Sequence, residues 1–423
     1  MSLLVESQPA PIFKEKRLDF PGALLFRPSM RLCLLFTCIL FVWGNAVWAD
    51  EETVDIEALL EDGALLDDLL YGAAEVPLES EEEAISWYWE NRISLGAGYK
   101  RNALFNAFSE ESSAFSLSEW ESTLIRLASS GDWQFFGYLV AENKHYVDVD
   151  GLDDEWMVLA LAQAEKPLGD WKVGMAGQYL YLQQAFSLEF EELDLGSTEI
   201  ALHQFQLTPR IQYALPNDAY LKLSLPLALN RFDDSAQNYE EIGVVAELGK
   251  KFSNGGKLTM SYAYEKRDYD ERLARTADGV SIAGSSLSWQ EHQWDLSWDF
   301  HLDDAKRWRS KSLMRYRLVE DDGSGYQDFS MAKLAQTIGY QQEPWGVSLS
   351  GSYSYYDYPV QTKTTGDSNQ RHRSRLGLGL ELERDFGEAW QGFARYDFES
   401  YLSNVPEDVY DVHVFALGLR YTF

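Results

Sequence analysis

The stretch WGVSLSGSYSY, residues 345–355, decides the fold of this chain. Its alternate positions hold Trp, Val, Leu, Gly, Tyr and Tyr, and the positions between them hold one glycine and four serines. Successive side chains of a β-strand point to opposite faces of the sheet, so a period of two indicates a strand. One face of this strand is apolar and bulky, whereas the other is small and polar.

The same alternation recurs from residue 92 to the carboxyl terminus. Clear examples are residues 221–230, 258–265, 294–301 and 375–383. A soluble β-sandwich also alternates, because each of its sheets buries one face. Here, however, one face is almost purely Leu, Val, Tyr and Trp, with the aromatics near the segment ends, and the other face carries charged residues, Ser and Gly. This pattern is typical of strands that touch lipid on one side and water on the other.

The connections between these segments alternate in length. The seven short connections fall at residues 129–132, 166–170, 215–218, 253–256, 302–307, 342–344 and 387–389. The eight longer connections fall near residues 104–115, 144–154, 184–197, 231–238, 270–286, 321–327, 359–370 and 402–407. The sequence therefore predicts an all-β fold: a transmembrane antiparallel up-and-down β-barrel of about 16 strands (roughly 14–18), with short periplasmic turns and longer extracellular loops. Pro209 and Pro226 indicate bulges or strand ends in the least regular part.

The amino terminus has the pattern of an export signal. Met30 and Arg31 precede an apolar run at residues 32–43, and the small residues Val47 and Ala49 follow at positions suited to cleavage. Twelve residues in a helix are too short to cross a hydrocarbon core of about 30 Å. Residues 1–49 are therefore predicted to be an amino-terminal extension and secretory signal peptide, with Met30 as an alternative start. The only cysteines, Cys33 and Cys38, would be removed with it.

An acidic leader is predicted for residues 50–88, ahead of a barrel at residues 89–423. Residues 50–83 contain 14 acidic side chains, no Lys or Arg, and three pairs of adjacent leucines. Such a charge run is usually a solvated segment. The alternative is a periplasmic helix that docks on a partner or enters a basic lumen, where it would plug the pore.

The charge of the chain limits its partners. It has 68 acidic and 36 basic side chains, and its net charge is −32. A nucleic-acid binder needs a basic face to neutralise phosphates, so no nucleic-acid partner is expected.

The carboxyl terminus has the most specific local pattern. Five alternating apolar residues end the chain on an aromatic carboxyl terminus: Phe415, Leu417, Leu419, Tyr421 and Phe423. This ending resembles the assembly signal of bacterial outer-membrane β-barrels. The resemblance covers residues 92–423 and identifies a porin-like class. It implies a place in the outer membrane of a Gram-negative bacterium, with outer-membrane lipid, lipopolysaccharide and the barrel-assembly machinery as partners.

The polar parity of the strands is expected to face the lumen. The candidate lumen and selectivity residues are Arg309, Lys311, Arg315, Arg317, Arg371, Arg373, Arg375, Arg395, Arg420, Glu381, Glu383, Asp295 and Asp299. These charges either pair across the wall and hold the barrel in shape, or set up a field that selects polar solutes. No long loop is expected to fold into the pore, so constriction is assigned to several modest loops or to the acidic leader.

No catalytic residues, metal site or cofactor are predicted. The six histidines are scattered, and no nucleophile, base and orienting group can be grouped from the sequence. The predicted function is a passive channel for small hydrophilic solutes through a charged aqueous lumen. The alternatives are an export barrel for exopolysaccharide or another polymer, and a non-conducting structural barrel.

Overall fold

The computed structural model describes residues 86–105, 107, 110–127, 132–149, 152–185, 199–363 and 368–423. The predicted signal peptide and nearly all of the predicted leader lie outside the described residues. The first strand begins at Ser86, three residues before the predicted start of the barrel.

Seventeen antiparallel strands form one sheet. Their bounds are β1 Ser86–Arg101, β2 Ser113–Leu127, β3 Gln134–Tyr146, β4 Asp154–Leu168, β5 Trp171–Ala185, β6 Glu199–Leu215, β7 Ala219–Ser224, β8 Leu227–Phe232, β9 Tyr239–Lys251, β10 Lys257–Tyr269, β11 Ser288–His301, β12 Trp308–Asp321, β13 Phe329–Gln342, β14 Trp345–Thr362, β15 Gln370–Asp385, β16 Trp390–Ser403 and β17 Tyr410–Thr422. Among the described residues, two short 3-10 turns lie in the loops, Ser235–Gln237 and Pro406–Asp408. In the described part of the chain, no helix is long and apolar enough to span a membrane.

The sheet closes on itself, because β1 pairs with both β2 and β17. The pairing of β1 with β17 runs from Arg92 opposite Thr422 to Arg101 opposite His413. Beyond that register, the backbones of Asn91 and Phe423 exchange two hydrogen bonds of 3.0 and 2.9 Å. Closure leaves no open sheet edge along this seam, which is the condition for a sheet to span lipid.

The seventeen strands occupy sixteen positions, as predicted. Strands β7 and β8 both lie between β6 and β9, and the register on each neighbour continues through the break between them. The break falls at Leu225 and Pro226, because proline has no amide hydrogen to donate to the ladder. The carbonyl of Pro226 still accepts a 2.9 Å hydrogen bond from Gly243. Pro209, by contrast, lies inside β6 without interrupting it.

Short and long connections alternate around the barrel as the sequence predicts. The connections at one end span as few as two residues, 169–170 and 343–344, whereas those at the other end reach residues 270–287. Both the start of β1 and the end of β17 lie at the short-turn end.

The two parities of each strand differ in exposure. On β17, the outward Phe415, Leu417 and Leu419 are 45%, 53% and 52% exposed, whereas Ala416 and Arg420 on the opposite parity are buried. Apolar side chains exposed at this level would be costly in water, so the outer face of the barrel is suited to an apolar solvent.

Candidate functional site

All thirteen candidate lumen residues lie on the inward parity of their strands. Six of them are buried to 8% exposure or less: Arg315, Arg373, Arg375, Glu381, Glu383 and Arg420. Charges so far removed from solvent need partners, because an isolated buried charge loses its hydration without compensation.

Strands β11 and β12 carry an acidic row beside a basic row. Arg315 donates to Asp295, directly opposite it in the ladder, at 2.9 and 3.2 Å. Arg317 contacts Glu291 at 2.7 Å, and Arg309 makes a two-pronged contact with Asp299. The two rows therefore neutralise each other along the height of the wall.

A second network crosses β15, β16 and β17. Arg395 donates to Glu381, opposite it in the ladder, at 2.8 Å. Arg420 reaches over β16 to Glu383, with which it forms a short ion pair. Arg420 also donates to Gln391 at 2.6 Å. This network ties three neighbouring strands together next to the closing seam.

Four acidic partners were not among the candidates, the first being Glu119 at 3.6 Å from Arg395. Glu291 pairs with Arg317, Glu399 lies 2.9 Å from Arg375, and the loop residue Asp408 lies 2.6 Å from Arg371. Glu291 and Glu399 are on the inward parity of the strand next to their arginine. Both glutamates could have been predicted, because each lies on the same face as an arginine of the adjacent strand.

Aromatic rings support the arginines near the long-loop end of the lumen. The guanidinium carbon of Arg373 lies 4.5 Å from the ring centre of Tyr356, and that of Arg375 lies 5.5 Å from Tyr401. Arg267 lies between Tyr239 and Trp289 at 4.3 and 4.9 Å. Cation–π contact and flat stacking hold these planar groups against the wall.

One loop packs on the inward side of the wall at the long-loop end; that no long loop folds into the pore stays a prediction. The loop at residues 270–287 packs Ala274 and Leu287 against the inward-facing Trp289 and Tyr356, which are all buried. Its chain folds back on itself through a bridge between Arg275 and Ser281. The sequence shows the length of this loop but not its direction, because its apolar residues are few and widely spaced.

The neighbouring loop at residues 322–328 supports that packing. The carboxylate of Asp321 accepts backbone hydrogen bonds from Gly323, Gly325 and Gln327 at 2.6–3.0 Å. The guanidinium of Arg275 lies 5.6 Å from the ring of Tyr326 in this loop. The two loops therefore pack against each other at the long-loop end of the barrel.

One loop carboxyl has a shifted pKa. Burial raises the pKa of Asp328 above its ordinary value, although a hydrogen bond from the Asp321 backbone opposes the shift. Partial removal from water disfavours the charged form of a carboxyl group.

The inward face of β3 to β6 is partly apolar, although the polar parity was expected to face the lumen; ion pairs such as Glu165 with Lys172 and Arg210 lie on the same parity. On β3 to β6 the inward parity carries a buried apolar cluster: Tyr138, Val140, Met157, Leu159, Leu161, Leu180, Leu182 and Leu202. The outward parity of β4 is also apolar. We call this cluster the apolar wall, and the inward faces of β11 to β17 the charged wall.

Rings of aromatic residues surround the outside of the barrel at both ends. At the short-turn end, Trp171 packs on Tyr213 and Trp390 packs on Tyr421, with ring centres 4.6 and 4.8 Å apart. Between the two rings lie exposed leucines and valines. A closed sheet with an apolar band between two aromatic girdles is the arrangement that a bacterial outer membrane requires. The described chain therefore has the architecture of an outer-membrane β-barrel.

Comparisons with known proteins give structural matches only. No protein-family model matches the chain, and no curated protein matches it. The barrel resembles OccAB4 of Acinetobacter baumannii, with 9% identity over 81% of this chain and 100% of that chain and a TM-score of 0.45. It also resembles a loop-deletion mutant of OmpT, an outer membrane protein of Vibrio cholerae, with 8% identity over 80% and 99% of the chains and a TM-score of 0.41. A bacterial polysaccharide outer membrane secretin matches with 11% identity over 81% and 99% and a TM-score of 0.40.

No metal site is formed by the described residues, since they contain no group of three or more His, Cys, Asp or Glu side chains that could hold an ion.

Proposed function

We propose that this barrel is a passive, non-catalytic channel for small hydrophilic solutes. The charged wall carries this proposal, since it presents polar groups on the inward face of neighbouring strands from the short-turn end to the long-loop end. Barrels of about 16 strands leave an aqueous bore, whereas about eight are filled by side chains.

The serine row on β14 supports a permeation path along the charged wall. Ser348, Ser350, Ser352 and Ser354 lie on its inward parity, between the basic row of β12 and the arginines of β15. Small hydroxyl side chains leave space beside these rows and offer both donors and acceptors to a passing solute. Polar groups that line a pore set its selectivity at close range.

The pairing of the lumen charges predicts weak ion selectivity. Because the basic rows have carboxylates beside them, the field in the bore is that of neighbouring dipoles and not of an arginine ring. Replacing Glu399 by Gln removes the carboxylate 2.9 Å from Arg375 and should shift the permeability ratio towards anions.

Planar-bilayer conductance tests the proposal with a matched pair of variants. Ser350→Trp places a large side chain in the lumen, whereas Leu349→Trp places the same side chain on the adjacent, lipid-facing position. We expect the first variant to lower single-channel conductance and the second to leave it unchanged. A wild-type barrel that gives no conductance, and no swelling of liposomes in sugar solutions, contradicts the channel.

The acidic leader provides a further arm of the same experiment. Residues 50–85 lie outside the described residues, and we propose that they restrict the lumen, where their acidic side chains would compete with the paired carboxylates for the lumen arginines. Deleting them should raise the conductance of the Leu349→Trp control and of the wild type alike. Unchanged conductance rejects the plug but leaves the channel standing.

A further inference from the structure

Five of the six histidines lie on the outward face of the barrel near its long-loop end. They are His145, His203, His292, His372 and His413, each between one and four residues from the long-loop end of its strand. The sixth, His301, faces inward at the short-turn end of β11.

Three of these histidines each form the same kind of structural unit with residues of the neighbouring strand. An aromatic ring lies directly opposite each histidine in the ladder: Tyr181 opposite His203, Tyr264 opposite His292, and Phe398 opposite His413. The paired ring centres are 4.8, 5.3 and 4.9 Å apart.

A tyrosine hydroxyl completes each unit. Two residues before the opposite ring, the hydroxyls of Tyr179, Tyr262 and Tyr396 lie 3.0, 2.8 and 2.9 Å from Nδ1 of the histidine. Strands β5, β10 and β16 all run from a short turn to a long loop. Each tyrosine therefore lies deeper in the apolar band than its histidine, and it engages the ring from the membrane side.

The hydrogen bond at Nδ1 leaves Nε2 as the ring nitrogen that can bind a further partner. A tyrosine hydroxyl that donates to Nδ1 requires the proton of the neutral ring to be on Nε2. Protonation of the ring leaves Nε2 a donor as well. Each unit thus leaves Nε2 available at the edge of the apolar band, where it is a donor in this tautomer and in the protonated ring.

The girdle at the other end is built differently. Its corresponding cross-strand pairs are Trp171 with Tyr213, Trp308 with Tyr340, and Trp390 with Tyr421. The described residues of this lower girdle include no outward-facing histidine. The two leaflets of a bacterial outer membrane also differ in composition, since the outer leaflet consists of a phosphorylated glycolipid.

We propose that the three Tyr–His units form a binding surface for the phosphate groups of the outer-leaflet glycolipid. His203, His292 and His413 lie at the level of these phosphates, and phosphate oxygens are strong acceptors of a hydrogen bond from Nε2–H. His145 and His372 are not included, because a carboxylate lies next to each: Asp154 at 3.1 Å from His145, and Asp357 opposite His372 in the ladder. The proposal depends on the orientation of the barrel and not on its conductance.

Binding of purified lipopolysaccharide to the full-length processed barrel in detergent tests this surface. The outer variant combines His203→Phe, His292→Phe and His413→Phe, which keeps the aromatic packing and removes the donors. The control combines Tyr213→Phe, Tyr340→Phe and Tyr421→Phe, which removes three polar atoms from the lower girdle. We expect the outer variant to bind at least tenfold more weakly, on the order of 0.5 kcal/mol or more for each donor lost, and the control to bind within twofold of wild type.

Two further arms identify the phosphate and its source. Dephosphorylated lipopolysaccharide should bind the wild type as weakly as the outer variant binds the intact glycolipid, and inorganic phosphate should not displace the glycolipid. If the triple variant fails to give a heat-modifiable folded band, the three single His→Gln variants replace it, and each should weaken binding. Equal affinity of wild type and folded outer variant, or equal affinity for both glycolipids, overturns the proposal.

Discussion

The two walls of the lumen differ in how they are held together and in how visible they are in the sequence. The charged wall is stabilised by ion pairs such as Arg315 with Asp295 and Arg395 with Glu381. The apolar wall is a packed cluster in which Leu159 lies between Val140 and Leu180 in the ladder. Alternation is clear on the charged wall and faint on the apolar one.

The difference teaches that a period of two in the sequence appears only where the two faces of a strand differ in polarity. A strand with two apolar faces lacks it. On β15, leucines at 376, 378, 380 and 382 alternate with Gly and Glu. On β4, residues 156–162 read WMVLALA, because both the lipid side and the lumen side are apolar. A strand buried on both faces loses its alternation, as strands covered on both sides do in other folds.

Removing one partner of an ion pair on the charged wall should have the largest effect. The Arg315 side chain is fully buried and Asp295 is 11% exposed. Arg315→Met leaves this carboxylate without its guanidinium, and we expect the free energy of unfolding to fall by about 3–5 kcal/mol. Urea unfolding followed by tryptophan fluorescence measures the change.

The double variant Arg315→Met with Asp295→Leu is the control for that prediction. It removes both charges, so most of the loss should be recovered. If the single and double variants unfold alike, the pair contributes only packing, and the contrast between the two walls disappears.

Shortening a side chain in the apolar wall should cost somewhat less. Leu159 is completely buried, and Leu159→Ala is expected to lower the free energy of unfolding by about 2–5 kcal/mol through lost burial and the cavity that remains. The matched control is Leu417→Ala on the lipid-facing side, where Leu417 is 53% exposed. A Leu159→Ala effect no larger than that of the control would mean that this wall is not packed.

Arginine substitution on β15 tests which side of the strand touches lipid. Leu380→Arg should cost about 2–4 kcal/mol near the bilayer midplane. Gly379→Arg should cost far less, because a Cβ there lies 3.4 Å from the Asp397 carboxylate and meets only the rotatable Ser350 hydroxyl more closely. Unfolding from lipid vesicles gives both values, and equal tolerance at the two positions would reverse the assignment of faces.

The carboxyl-terminal segment shows which structural features could be predicted from the sequence. Phe415, Leu417, Leu419, Tyr421 and Phe423 all lie on the outer face of the closing strand, where alternation predicted them to touch lipid. Their recognition by the assembly machinery stays a prediction. The candidate lumen arginines are likewise on the expected parity, but their role in selectivity stays a proposal.

The sequence by itself determined the strands of the contrasting regions, the alternation of turns and loops, and the side of each such strand that is apolar. These are local properties, carried by neighbouring residues with a period of two. The tertiary structure alone decided which carboxylate meets which arginine, that the loop at 270–287 packs on the inward side of the wall, that part of the inward face of β3 to β6 is apolar like the outward face, and that tyrosine and histidine meet at one girdle. Each of these depends on the register between strands, and closure of the barrel brings together residues as distant as Ser94 and Arg420, which no local pattern specifies.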